Sequence, residues 1–177
     1  IANADTTAPT TTFSPVNGAT SIAVASDITL TFNEAVRLTN DSALDDSNVD
    51  ALITLKENNS SGSDISFDAT INVGKTVITI NPSSDFSSEQ VIYVAIGTSV
   101  EDAADNAINA ANISFTAVDT SAPTMAITSS TVTDGDTSDD SALSMTFTSS
   151  EATTDFVVGD ITAVSYTHLT LPTKDSV

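Results

Sequence analysis

The chain has no cysteine and no tryptophan, a single histidine, and 4 basic residues against 24 acidic ones. Each shortage excludes something. Without cysteine there are no disulfides, no thiol nucleophile and no thiolate zinc site. The one imidazole, His168, lies in a C-terminal stretch set apart below, so a serine triad has no credible base. Four basic residues cannot supply the Lys/Arg footprint that DNA, RNA or an anionic membrane surface requires. No run approaches the roughly 20 apolar residues of a membrane-spanning helix, so membrane insertion is not expected. Aromatics make up 5 % of the chain, too few for a sugar-stacking platform. Phe13, Phe32, Phe115 and Phe147 fall in strand patterns, and Tyr93 in a buried-looking strand, so all five read as structural. No glycine-rich phosphate loop occurs. Carboxylate pairs able to hydrolyse a glycoside arise by chance in so acidic a chain. The sequence therefore reads as a non-enzyme.

What is present is a globular composition with an extreme charge. Of the 177 residues, 40 % are hydrophobic, too many for a disordered acidic tail. The net charge of −20 attracts cations and repels itself, a cost that counterions or bound metal offset. One pentapeptide pattern occurs twice, as Asp5-Thr6-Thr7-Ala8-Pro9 and as Asp119-Thr120-Ser121-Ala122-Pro123. The copies stand 114 positions apart (119 − 5), about the length of one β-sandwich domain. Each is read as a seam between domains. Residues 1–4 then end a preceding domain or linker, 5–118 form one domain, and 119–163 begin another.

Between the seams the pattern is that of short strands. Residues 27–32 alternate strictly, with Ile28, Leu30 and Phe32 on one face and Thr29 and Thr31 on the other. Strands are also expected at 10–13, 52–56, 66–72, 76–81, 90–96 and 113–117. The pair 66–72 and 76–81 forms a hairpin around Gly74. Residues 91–96 are apolar on both faces, as a central strand is. Residues 42–51 are the only helical candidate, with Ser42, Asp45 and Asp46 as caps. Past the second seam, 124–128 and 142–148 read as strands. Many short strands with few helical patterns predict an all-β sandwich followed by the start of a second, incomplete one.

The acidic residues supply the one candidate chemistry. Glu34 continues the inward parity of 27–32 just beyond that strand, and Asp119 does the same after Ile113, Phe115 and Ala117. With Asp102 and Asp105 of the acidic loop, they are expected to converge at one pole. In the second domain Glu151 repeats the position of Glu34, with Asp134 or Asp136 as its partner. Calcium, a hard cation taking six to eight oxygen ligands, is the ion expected at such a cluster. Carboxylates held that close raise one another's pKa unless a cation is shared.

These residues carry a family resemblance. The segments Asp5–Pro9, Phe13–Gly18, Leu30–Val36, Val100–Asn106 and Ile113–Thr116 resemble a bacterial Ig-like domain of the type repeated in S-layer and other large surface proteins. Residues 119–163 are similar to the front of a related repeat of giant bacterial adhesins. The family's usual pattern has Gly before the Asn of the acidic loop, whereas Asp105 stands there. The resemblance implies a structural stalk or spacer of a secreted or cell-surface adhesin-like protein. Its partners would be neighbouring Ig-like domains of the same chain, with a cell-surface or matrix ligand bound through other domains. An S-layer or matrix component, or an accessory module of a secreted hydrolase, are the alternatives it allows.

The C-terminal text changes character. Residues 164–173 hold no acid, in a chain dense with acids elsewhere. They resemble the conceptual translation of a transposase-type sequencing adapter, residue for residue. Residues 164–177 are accordingly expected to be non-native. The span 119–163 is then less than half as long as 5–118, too short for a complete sandwich.

Overall fold

A computed structural model describes residues 4–164. The chain divides into two compact units, residues 1–121 and 122–177. In the first unit β1 (Thr11–Ser14), β2 (Ile28–Phe32), β5 (Phe67–Ile71) and β6 (Val77–Pro82) form a four-stranded antiparallel sheet in the order β1-β2-β6-β5. A second sheet has the order β4-β7-β9, from β4 (Ile53–Glu57), β7 (Val91–Ile96) and β9 (Ala111–Thr116). Two short strands, β3 (Arg37–Leu38) and β8 (Val100–Glu101), pair separately. With β3 and β8 set aside, the arrangement is the four-plus-three strand order of a constant-type immunoglobulin sandwich.

The alternation in the sequence explains the core. Ile28 and Leu30 are 0 % exposed and Phe32 2 %, while Thr29 and Thr31 lie on the wetter face. β6 presents Ile78 and Ile80 in register with Leu30 and Ile28. From the other sheet come Ile92, Val94 and Phe115, all buried. Phe86 closes one end of the core, its ring edge-on to Phe115 at 5.8 Å. β7 is the central strand of its sheet, as its two apolar faces predict. Ile92, Val94 and Ile96 are buried inward, and Val91, Tyr93 and Ala95 are half-buried on the other face. The chain between β1 and β2 crosses to the second sheet. There Ile22 pairs in parallel with Ala117.

The expected helix over 42–51 does not form. The segment holds turns and one 3-10 turn, Asp50–Leu52. Its polar residues have other partners. Asp45 accepts from the Ser47 N–H and hydroxyl, a turn geometry that competes with helix. Asp50 accepts from the Ala69 N–H at 2.8 Å, and Asp46 from the Ile71 N–H at 2.9 Å. These carboxylates cap the outer edge of β5, which would otherwise offer open donors to another chain. Leu44 and Val49, 0 % exposed, anchor the segment to the core.

The second unit contains β10 (Met125–Ser129) and β11 (Met145–Ser149) as an antiparallel pair, and a 3-10 turn at Val158–Asp160. Phe156 lies against Phe147, with centroids 5.9 Å apart. The suspected adapter-like stretch lies outside the described residues except for Val164.

Leu30 has no exposed surface and stands beside Ile78 of β6 in the core. Leu30→Ala should cost about 2–5 kcal/mol, read as a lowered urea midpoint with an unchanged slope. Thr31→Ala on the exposed face should change the midpoint little.

Candidate metal centre

Two acidic groups assemble at one pole of the first unit, and strand pairing explains why. The register Thr11↔Phe32 places the chain before β1 beside the chain after β2. The Thr10 N–H donates to the Asn33 side-chain oxygen at 2.6 Å, and the Asn33 N–H returns a bond to the Thr10 carbonyl. Asp5 and Glu34 are thereby brought together. The register Arg37↔Glu101 then lays the start of the acidic loop against the same chain, which adds Asp102. One carboxylate oxygen from each of Asp5, Glu34 and Asp102 lies within 4.8 Å of the other two. Asp102 is 2 % exposed, Glu34 is half-buried and Asp5 is exposed.

Asp102 is held as an anion by its own loop. Its Oδ1 accepts from the N–H of Ala104 at 2.7 Å and of Asn106 at 3.0 Å, and its Oδ2 from the Asn106 side-chain amide at 2.8 Å. These bonds, first the Asn106 side chain and then its backbone, outweigh desolvation and hold the carboxyl below its ordinary range. The same Asn106 amide donates to the Asp5 carbonyl at 3.2 Å, tying the seam to the loop. Asp105 adopts φ +67°. Aspartate tolerates this left-handed conformation, so the turn forms without Gly.

The second group is Asp41, Glu101 and Asp105. It already surrounds a cation, the Arg37 guanidinium. Nη2 lies 2.8 Å from Asp41 and also contacts Asp105, while Nε is 3.3 Å from Glu101. That Nε is buried without a well-aligned hydrogen bond, so the Glu101 contact is an ion pair and not a directed bond. Among the described residues no ion pair with Lys or Arg involves Asp5, Glu34 or Asp102.

Of the four acids expected to converge, Glu34 and Asp102 share a group and Asp105 turns away to Arg37. Asp119 belongs to neither group. It follows the far end of β9, whereas the acidic loop precedes that strand's beginning. Its Oδ1 accepts from the Ser88 hydroxyl at 2.7 Å and from the Ser121 N–H at 2.9 Å. Strand parity gives the face of the sheet, not which pole a residue reaches. Asp134 and Asp136 lie in the exposed β10–β11 loop, where Asp136 accepts from the Thr133 N–H. Among the described residues neither joins Glu151 in a group of three. The ligand candidate missing from the sequence reading is Asp5. The repeat held its signal, since a seam residue just upstream of a strand antiparallel to β2 must approach Glu34.

Asp102 gives a pH dependence with a definite sign. A depressed folded pKa adds stability above the unfolded value of about 3.9, and that contribution is lost as pH falls through the folded pKa. Asp102→Asn, which turns an amide donor toward donors, should lower the urea midpoint at neutral pH. The difference from the parent should shrink well below pH 4; an equal difference at both pH values would contradict this account.

No curated protein matches the chain. Among solved structures, it is similar to the LD-transpeptidase LdtMt1 in complex with imipenem, at 17 % identity and TM-score 0.40, covering 62 % of this chain and 40 % of that one. It is also similar to CopC from Methylosinus trichosporium OB3b, at 15 % identity and TM-score 0.41, covering 62 % and 92 %. The surface-layer protein SbsC, domains 1–6, gives 11 % identity and TM-score 0.42 over 68 % of this chain and 15 % of that one. Residues 5–117 match the bacterial Ig-like domain, from the seam aspartate through the last strand of the sandwich, and the chain belongs to that family.

Proposed function

We propose that the first unit is a structural spacer of a secreted or cell-surface bacterial protein, and that calcium locks its leading seam onto its body. One observation carries the calcium reading: Asp5, which belongs to the seam, meets Glu34 and the buried Asp102 of the domain within 4.8 Å. A divalent cation there would bridge linker and sandwich, offset three close negative charges, and remove the freedom of the chain before β1. The three carboxylates present oxygens only, the donor set of a hard cation, and water would complete the shell. The neighbours in this role are other Ig-like domains of the same chain, with ligand binding left to other parts of the protein. Among the described residues no helix is long and apolar enough to cross a membrane.

Calorimetric titration of calcium into the whole chain should give a Kd of about 10⁻⁴–10⁻³ M, the range of extracellular calcium modules. At ten times that Kd the folded state gains about 1.4 kcal/mol, seen as a raised thermal midpoint that chelator reverses. Asp5→Asn and Asp102→Asn should each weaken binding, and Asp119→Asn should leave the first-unit site unchanged. Absence of both heat and thermal shift at about 10 mM calcium would end the reading.

A further inference from the structure

One dipeptide has a reactivity that the fold must contain. Asn17-Gly18 is the one Asn-Gly step in the sequence. Glycine carries no side chain to hinder ring closure through its own nitrogen. In that reaction the Gly18 nitrogen attacks Cγ of Asn17. A C–N bond forms, the side-chain nitrogen leaves as ammonia with the Gly18 proton, and a succinimide ring results. Water then opens the ring at either carbonyl. One opening gives aspartate at position 17. The other gives isoaspartate, whose main chain runs through the former side chain and is one carbon longer.

The fold occupies both reacting groups at once. The Gly18 N–H donates to the Ser114 carbonyl at 2.7 Å, and the Asn17 side-chain oxygen accepts from the Ser114 N–H at 2.9 Å. A single residue of β9 therefore holds the nucleophile and the electrophile. The neighbouring backbone is fixed as well. The Ala19 N–H donates to the Val16 carbonyl at 3.1 Å, and the Thr116 N–H to the Ala19 carbonyl at 2.9 Å. Gly18 takes φ +77°, with open space where a Cβ would stand. Burial gives no shelter, because residues 16–18 are exposed to water. What keeps the step intact is its pair of bonds to Ser114.

We propose that Asn17-Gly18 is a deamidation site gated by Ser114: intact while residues 17–22 lie against β9, and converted when they lift away. The gate is a local opening, since one event frees the Gly18 nitrogen and the Asn17 amide together. The two products differ in consequence. Aspartate at position 17 keeps an oxygen that accepts from the Ser114 N–H. Isoaspartate adds a carbon between the two contacts, so the Gly18 N–H no longer meets the Ser114 carbonyl while the side chain keeps its place. Conversion to isoaspartate thus makes the opening permanent.

The test is peptide mapping by mass spectrometry of the whole chain, aged in mildly alkaline buffer with chelator, which keeps any calcium effect separate. A synthetic peptide of residues 14–20 in the same buffer calibrates the unprotected rate. The folded chain should deamidate at Asn17 at least about tenfold more slowly than the peptide. In urea above the unfolding midpoint, chain and peptide should react alike. At urea concentrations below the midpoint, deamidation of Asn17 should rise in step with hydrogen exchange of the Gly18 amide. Chain aged in urea and then refolded should yield an isoaspartate form with a lowered urea midpoint, whereas Asn17→Asp should stay near the parent. Equal rates in folded chain and peptide, deamidation that does not follow Gly18 exchange, or equal midpoints for the isoaspartate form and Asn17→Asp would overturn the proposal.

Discussion

The register of β2 fixes most of what the first unit is. Its inward residues hold the core, and its two neighbours set the order of one sheet. Its end determines which acids meet. A slip of one residue would turn Ile28, Leu30 and Phe32 outward and put Thr29 and Thr31 in the core. It would also separate the chain before β1 from Glu34, so the acidic group depends on the same pairing as the apolar interior.

The acidity of the chain is distributed among distinct structural tasks. Asp102 is buried because three N–H groups solvate it in place of water. Asp41, Glu101 and Asp105 are gathered by Arg37, one of only four basic residues in the chain. Asp46 and Asp50 close a sheet edge. In each case a fixed donor or cation offsets like-charge repulsion. The group of Asp5, Glu34 and Asp102 is where we propose that calcium binds.

Much of the sandwich was legible in the sequence, because a half-buried strand writes its orientation into alternate positions. Residues 27–32 and 91–96 could be placed as strands, and their roles follow from which faces are apolar. The segment 42–51 was not legible as a helix or otherwise. Its carboxylates look like helix caps until β5, distant in sequence, is seen to use them. The acidic site was half legible. Parity located Glu34, but the choice between Asp5 and Asp119 depends on which pole each seam occupies, and that is a property of topology. The turn at Asp105 formed without glycine because an aspartate can take the left-handed conformation that the loop requires.

The crossover between β1 and β2 has a further consequence. Residues 18–22 run parallel to the end of β9. Gly18 donates to the Ser114 carbonyl, Thr116 to that of Ala19, Ile22 to that of Thr116 and Val118 to that of Ile22. The first of these segments leads back to the leading seam and the second leads on to the trailing one, at opposite poles of the sandwich. A pull applied through the two seams would reach the β1–β2 pairing first and then load these four bonds together in shear, instead of peeling them apart one at a time. In the proposed spacer this parallel seam of backbone bonds, between the entry and the exit of the domain, would act as a clamp set by topology alone.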